Sequence, residues 1–91
     1  AYNFAILRDG AVLEGRGDNV RGAHSGHNTA NGYPGVLVVC GTETPAPNER
    51  QLEVLQELRR TKQWGRRTGH IEWVSTACPG PVLMPWIRSH R

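Results

Sequence analysis

The sequence is poor in the features that anchor a chain from outside its own core. Its 91 residues hold two cysteines, one methionine, one phenylalanine and one lysine. Two cysteines do not make a disulfide framework. Cys40 ends the apolar run Val36–Cys40 and reads as a buried thiol, while Cys78 has a competing reason to be a thiolate, so no disulfide is expected. No apolar run approaches the roughly 18 residues that span a membrane as a helix, and no signal peptide opens the sequence. Aromatic residues make up 7% of the chain. Apart from Trp64, none interleaves with the basic residues Arg59, Arg60, Lys62, Arg66 and Arg67, which argues against a stacking platform for nucleic acid. No internal repeat is present. Residues 1–91 read as one small domain, which buries only roughly 60–65% of the surface of its unfolded chain and is modestly stable without a metal or a partner.

What the sequence does hold is an ordinary globular composition, 37% hydrophobic and 21% charged, with 11 glycines and 6 prolines. The formal charge is +3 and the pI about 9.4, carried by ten arginines and the single lysine. The five basic residues between 59 and 67 have two readings. They are a solvated helix end, where cations complement the dipole, or a patch facing an anionic polymer. A bacterial wall, rich in carboxylates and phosphates, fits such a patch as well as nucleic acid does.

Tyr2-Asn-Phe-Ala-Ile-Leu-Arg is rich in strand formers, Asp9-Gly10 after it is a hairpin signal, and Ala11-Val-Leu-Glu reads as the returning strand. Between Gly15 and Gly35 lie six glycines in all, with Asn19, Asn28, Asn31 and Pro34. That is loop chemistry, and loops of this length in a small domain are usually functional. Val36–Cys40 is continuously apolar and reads as a buried central strand. Pro45-Ala-Pro47 is a stiff connector. Asn48 with Gln51 forms a capping-box pattern, and Leu52, Leu55 and Leu58, with Val54 beside them, predict an amphipathic helix from Asn48 to about Lys62. Gly65 and Gly69 bracket a loop into His70. Pro81 or Pro85 opens a short final helix carrying Val82, Leu83, Trp86 and Ile87.

The segment His70-Ile-Glu-Trp-Val-Ser-Thr-Ala-Cys78-Pro-Gly carries the chemistry. Imidazole nitrogen and thiolate sulfur both suit the tetrahedral shell of zinc. The chain offers no third ligand at a matching spacing. Glu72 reads as a structural carboxylate that orients the His70 segment or pairs with an arginine.

In order, these pieces resemble the zinc-dependent N-acetylmuramoyl-L-alanine amidases, the family of phage lysozyme-type amidases and peptidoglycan recognition proteins. The resemblance is carried by Tyr2 to Gly17, Gly22-Ala-His24, Asn28, Gly35 to Gly41, Pro47 to Leu52 and His70 to Gly80. It implies an α/β fold, a mixed β-sheet flanked by helices with a cleft on one face. It also implies that the chain is the C-terminal part of such a domain, lacking its N-terminal segment. The strand beginning at Tyr2 would then lack a neighbour, leaving an unpaired edge and an uncovered apolar face.

By the same resemblance, His70 and Cys78 are Zn2+ ligands, and the third ligand belongs to the absent segment. Neither His24 nor His27 falls at its place. Tyr2 and Thr76 are the catalytic candidates, acting on a zinc-activated water or on the oxyanion. The bland alternatives are a packed strand aromatic for Tyr2 and a turn hydroxyl for Thr76. His24 and Asn28 are the candidates for contact with substrate. The expected activity is hydrolysis of the amide between N-acetylmuramic acid and L-alanine in peptidoglycan, as in a bacteriolytic phage endolysin. The 91 residues alone would be inactive unless a separate N-terminal piece completed the site. Asp18, where recognition proteins often carry a tryptophan, favours the phage type. The absence of a signal peptide is consistent with a lysin made in the host cytoplasm and acting on the wall. A non-catalytic peptidoglycan-binding module is the alternative.

Overall fold

The computed structural model describes residues 2–16, 22, 31–40, 46–75 and 78–91. Three short strands form the sheet: β1 (Phe4–Ile6), β2 (Val12–Glu14) and β3 (Val36–Val38). Two helices follow, α1 (Glu49–Lys62) and α2 (Gly80–Ser89), with a single 3-10 turn, His70–Glu72, between them. The strand order is β2-β1-β3, with β1 antiparallel to β2 and parallel to β3. The fold is therefore α/β with a mixed sheet.

The hairpin forms where Asp9-Gly10 predicts it. The Gly10 N–H donates to Leu7 O at 2.9 Å and the Leu7 N–H to Ala11 O at 2.8 Å. Asp9 closes the turn by accepting the Ala11 N–H on Oδ1 at 2.9 Å. Gly10 has φ +90°, the left-handed position that a three-residue hairpin loop reserves for glycine.

The expectation of an unpaired edge at the first strand is overturned: β1 lies in the middle, with a partner on each side. The reading of Val36–Cys40 as a buried central strand is corrected with it. Its strand is β3, at an edge of the described sheet and only partly buried. A short apolar run looks the same whether both of its faces are covered or one. Cys40, past the end of β3, is half-buried rather than buried, its thiol 3.6 Å from Val38 O.

Strand alternation sorts the side chains onto two faces. Phe4 and Ile6 are buried, and Val38, on their side of the sheet, packs against the Leu83, Met84 and Ile87 cluster of α2. Leu52 and Leu55 of α1 join the same cluster. Both helices therefore cover the Phe4/Ile6 face. The register places Leu13, Ala5 and Leu37 in a row on the other face, where Leu13 and Leu37 remain 52% and 39% exposed.

Helix α1 starts as its sequence dictates. Asn48 Oδ1 accepts the Gln51 N–H at 2.8 Å, and Gln51 Oε1 accepts the Asn48 N–H at 3.0 Å. Gln51 also does something the pattern does not announce. Fully buried, it donates from Nε2 to Ile6 O at 3.2 Å and to Val39 O at 2.6 Å, while Oε1 takes a second bond from Arg8 at 3.1 Å. A cap residue thus doubles as the polar tie between α1, β1 and the end of β3. The final helix opens at Gly80 with Pro81 in its first turn, so Pro85 falls inside the helix.

Candidate functional site

The loop from His70 to Cys78 is built from its ends. The His70–Glu72 turn follows Gly69, and Cys78 precedes a cis peptide to Pro79 at the mouth of α2. The Ile71 N–H donates to Cys78 O at 2.8 Å, closing the loop and bringing the backbones around His70 and Cys78 side by side. Gly69 makes this approach possible. A Cβ at that position would run into Met84 Sδ and lie 2.9 Å from Pro79 Cδ, so only glycine lets the turn pack against the residue after Cys78.

His70 is half-buried and Cys78 exposed. The two cysteines form no disulfide. Partial shielding of its sulfur raises the Cys78 thiol above its ordinary range. Tyr2, just before β1, belongs to the same neighbourhood. Desolvation raises its phenol above the usual tyrosine range, and the nearby Cys78 adds to the rise. Burial favours the neutral form of each group, and each would repel the other's anion. Tyr2 therefore holds its proton at neutral pH, as a hydrogen-bond donor must.

Glu72 plays the structural part expected of it. Its carboxylate accepts the Gly69 N–H at 2.8 Å and two bonds from Arg91. The hydrogen bonds from Arg91 hold its carboxyl below the usual carboxylate range. Beside the turn, Trp73 donates its indole N–H to Thr68 Oγ1 at 2.9 Å and meets the ring of Tyr33 at 6.0 Å. The sequence gives no sign of the Tyr33–Trp73 contact, because nothing in the spacing of the two residues relates them.

The structure thus brings the backbone beside His70 onto Cys78 and leaves Tyr2 near Cys78. Thr76, His24, Asn28 and Asp18 lie outside the described residues. The donor set suits zinc in kind, one imidazole and one sulfur. It is one short of a catalytic site in number: among the described residues no group of three or more His, Cys, Asp or Glu could hold a metal.

Much of the basic cluster is engaged within the molecule. Arg59 and Arg67 donate to the backbone oxygen of His90, Arg60 pairs with Glu57, and Lys62 sits over the Phe4 ring at 5.1 Å. An open groove of about 490 Å³ lies at the end of α1, lined by Gln56, Arg59, Arg60, Gln63 and Trp64. Of the described candidate-site residues Tyr2, His70 and Cys78, none lines it. No helix of the described residues is long and apolar enough to cross a membrane.

No family model and no solved structure matches the chain. Curated relatives do. The chain is 29% identical over 90 residues to a peptidoglycan-recognition protein of Drosophila simulans, covering 91% of this chain and 49% of that protein. It is 32% identical over 97 residues to the N-acetylmuramoyl-L-alanine amidase of Homo sapiens, covering 97% and 16%. It is 32% identical over 98 residues to the endolysin of Enterobacteria phage K11, covering 97% and 64%. The chain spans about half the length of the recognition protein and less than two thirds of the endolysin. At about 30% identity, then, it is similar to peptidoglycan-recognition proteins, N-acetylmuramoyl-L-alanine amidases and a phage endolysin.

Proposed function

We propose that this chain is part of a zinc-dependent N-acetylmuramoyl-L-alanine amidase that acts on the bacterial cell wall as an endolysin does. The observation that supports this reading is the loop closed by the Ile71–Cys78 backbone bond next to His70, with Tyr2 near Cys78. Relatives named as amidase and endolysin, matching nearly the whole chain, supply the reaction.

His70 and Cys78 would hold the metal, with a third donor from outside the described residues. When bound, zinc supplies a Lewis acid for a carbonyl oxygen and brings the pKa of its water to about 7. The chain's own contribution is to hold and orient. The Ile71–Cys78 bond and the Gly69 approach fix the spacing of the two donors. Tyr2, kept protonated, donates a hydrogen bond to the oxygen of the scissile amide as charge gathers there. Thr76, His24 and Asn28 retain their proposed parts, the first at the oxyanion and the others in contact with the muramyl peptide.

The test is digestion of purified peptidoglycan by the zinc-loaded protein with its third metal donor supplied. The amidase reading expects new L-alanine amino termini and no new reducing sugar ends. Reducing ends without amino termini would mean that the glycan is cut and would sink it.

A second reading, a peptidoglycan-binding module without catalysis, is favoured by the relatives named as recognition proteins and by the two-donor set. Binding of insoluble wall with no release of amino termini, in the presence of zinc, would select it.

A further inference from the structure

Glu72 and Arg91 stand 19 residues apart and meet as a two-pronged pair. Arg91 Nη1 donates to Oε1 at 3.1 Å and Nη2 to Oε2 at 2.9 Å. An exposed ion pair contributes little. This one is different: the Arg91 and Glu72 side chains are only 19% and 29% exposed. The same Oε1 accepts the Gly69 N–H, so Glu72 closes the His70 turn and ties it to the end of α2 with one carboxylate. Such paired, charged hydrogen bonds fix direction as well as distance.

Arg91 is itself held in place. Its Nη1 also donates to Arg67 O at 3.1 Å, and its backbone oxygen accepts Arg59 Nη2 at 2.8 Å. The neighbouring His90 oxygen accepts Arg59 Nη1 at 3.0 Å and a further bond from Arg67. Arg59 belongs to the last turn of α1. A continuous run of bonds therefore leads from α1, through residues 90 and 91, to the turn that begins with His70.

We propose that Arg91 is a positioning residue: acting through Glu72, it fixes the His70 turn and so the spacing between His70 and Cys78. The proposal rests on the reading of that pair as metal donors, and its test separates the two ideas.

The first measurement needs no metal. Amide hydrogen exchange is followed at Gly69 and Ile71, whose N–H groups close the turn and the loop, and at Val54 and Leu55 within α1. Arg91→Ala should speed exchange at Gly69 and Ile71 by about tenfold or more and leave Val54 and Leu55 at the wild-type rate. Arg91→Lys retains the charge but not the fork, and should fall between. Glu72→Gln should behave like Arg91→Ala.

The second measurement is Co2+ titration, where Arg91→Ala should weaken binding about 10- to 100-fold, as removal of a group orienting a ligand does. Wild-type exchange at Gly69 and Ile71 in Arg91→Ala would overturn the proposal. So would equal loosening of Val54 and Leu55, which would make Arg91 a general support of the fold. If the wild-type protein with its third donor supplied takes up no Co2+, the metal reading falls, and the exchange rates still decide what Arg91 does.

Discussion

Tyr2 and Gly69 show how single residues set the chemistry of this loop. Tyr2 is desolvated and lies near Cys78, so its phenol keeps its proton. A donor that matters most in the transition state leaves a definite signature when removed. Tyr2→Phe should leave zinc content unchanged yet slow release of amino termini from peptidoglycan by about 100-fold. Unchanged turnover would leave Tyr2 as a packing residue. Gly69 acts through space alone. Gly69→Ala pushes a methyl group against Met84 and Pro79, and Pro79 follows Cys78 directly. Overpacking of this kind costs about 1–3 kcal/mol. Denaturant unfolding should show that loss, together with weaker zinc binding. Gln51 is the third case. Gln51→Leu keeps the bulk but leaves Ile6 O and Val39 O without this donor in a buried place, and should destabilise by about 2 kcal/mol or more.

At the scale of elements, α1 ends in a way that can be improved. The Trp64 N–H returns to Arg59 O and the Gln63 N–H to Arg60 O, with Gln63 at φ +57°. This is a Schellman ending with glutamine where glycine fits best. Gln63→Gly should raise stability by about 0.5–1 kcal/mol, the relief of the left-handed backbone less the added freedom of the unfolded chain. Thermal unfolding of the two proteins checks it. The start of α1, unlike its end, was legible to the residue, because Asn48 and Gln51 carry their own hydrogen-bonding logic. The hairpin at Asp9-Gly10 was legible for the same reason. Strand order was not. Nothing local to Tyr2–Arg8 or Val36–Cys40 says which lies at the centre, since pairing across 30 residues depends on the whole sheet. The structural role of Glu72 was readable from residue type and spacing. Arg91 as the partner of Glu72 was not, because their meeting depends on where α2 ends relative to the loop.

For the whole molecule, the two helices cover one face of the sheet, while Leu13 and Leu37 on the other stay partly exposed. The sheet positions Tyr2, and α2 begins directly after Cys78, so the candidate site sits where strand, loop and helix converge. Two of the four arginines that look like a basic patch in the sequence, Arg59 and Arg67, are engaged in holding residues 90 and 91. The central claim is that His70 and Cys78 serve one metal. It is tested most directly by zinc titration of the protein against a competing chelator, alongside His70→Ala and Cys78→Ser. With the third donor supplied, the account predicts about one zinc per domain in the wild type and loss of that zinc in both variants, since each removes one of the two donors found among the described residues. Full zinc binding by Cys78→Ser, or none by the wild type with its third donor supplied, would contradict it.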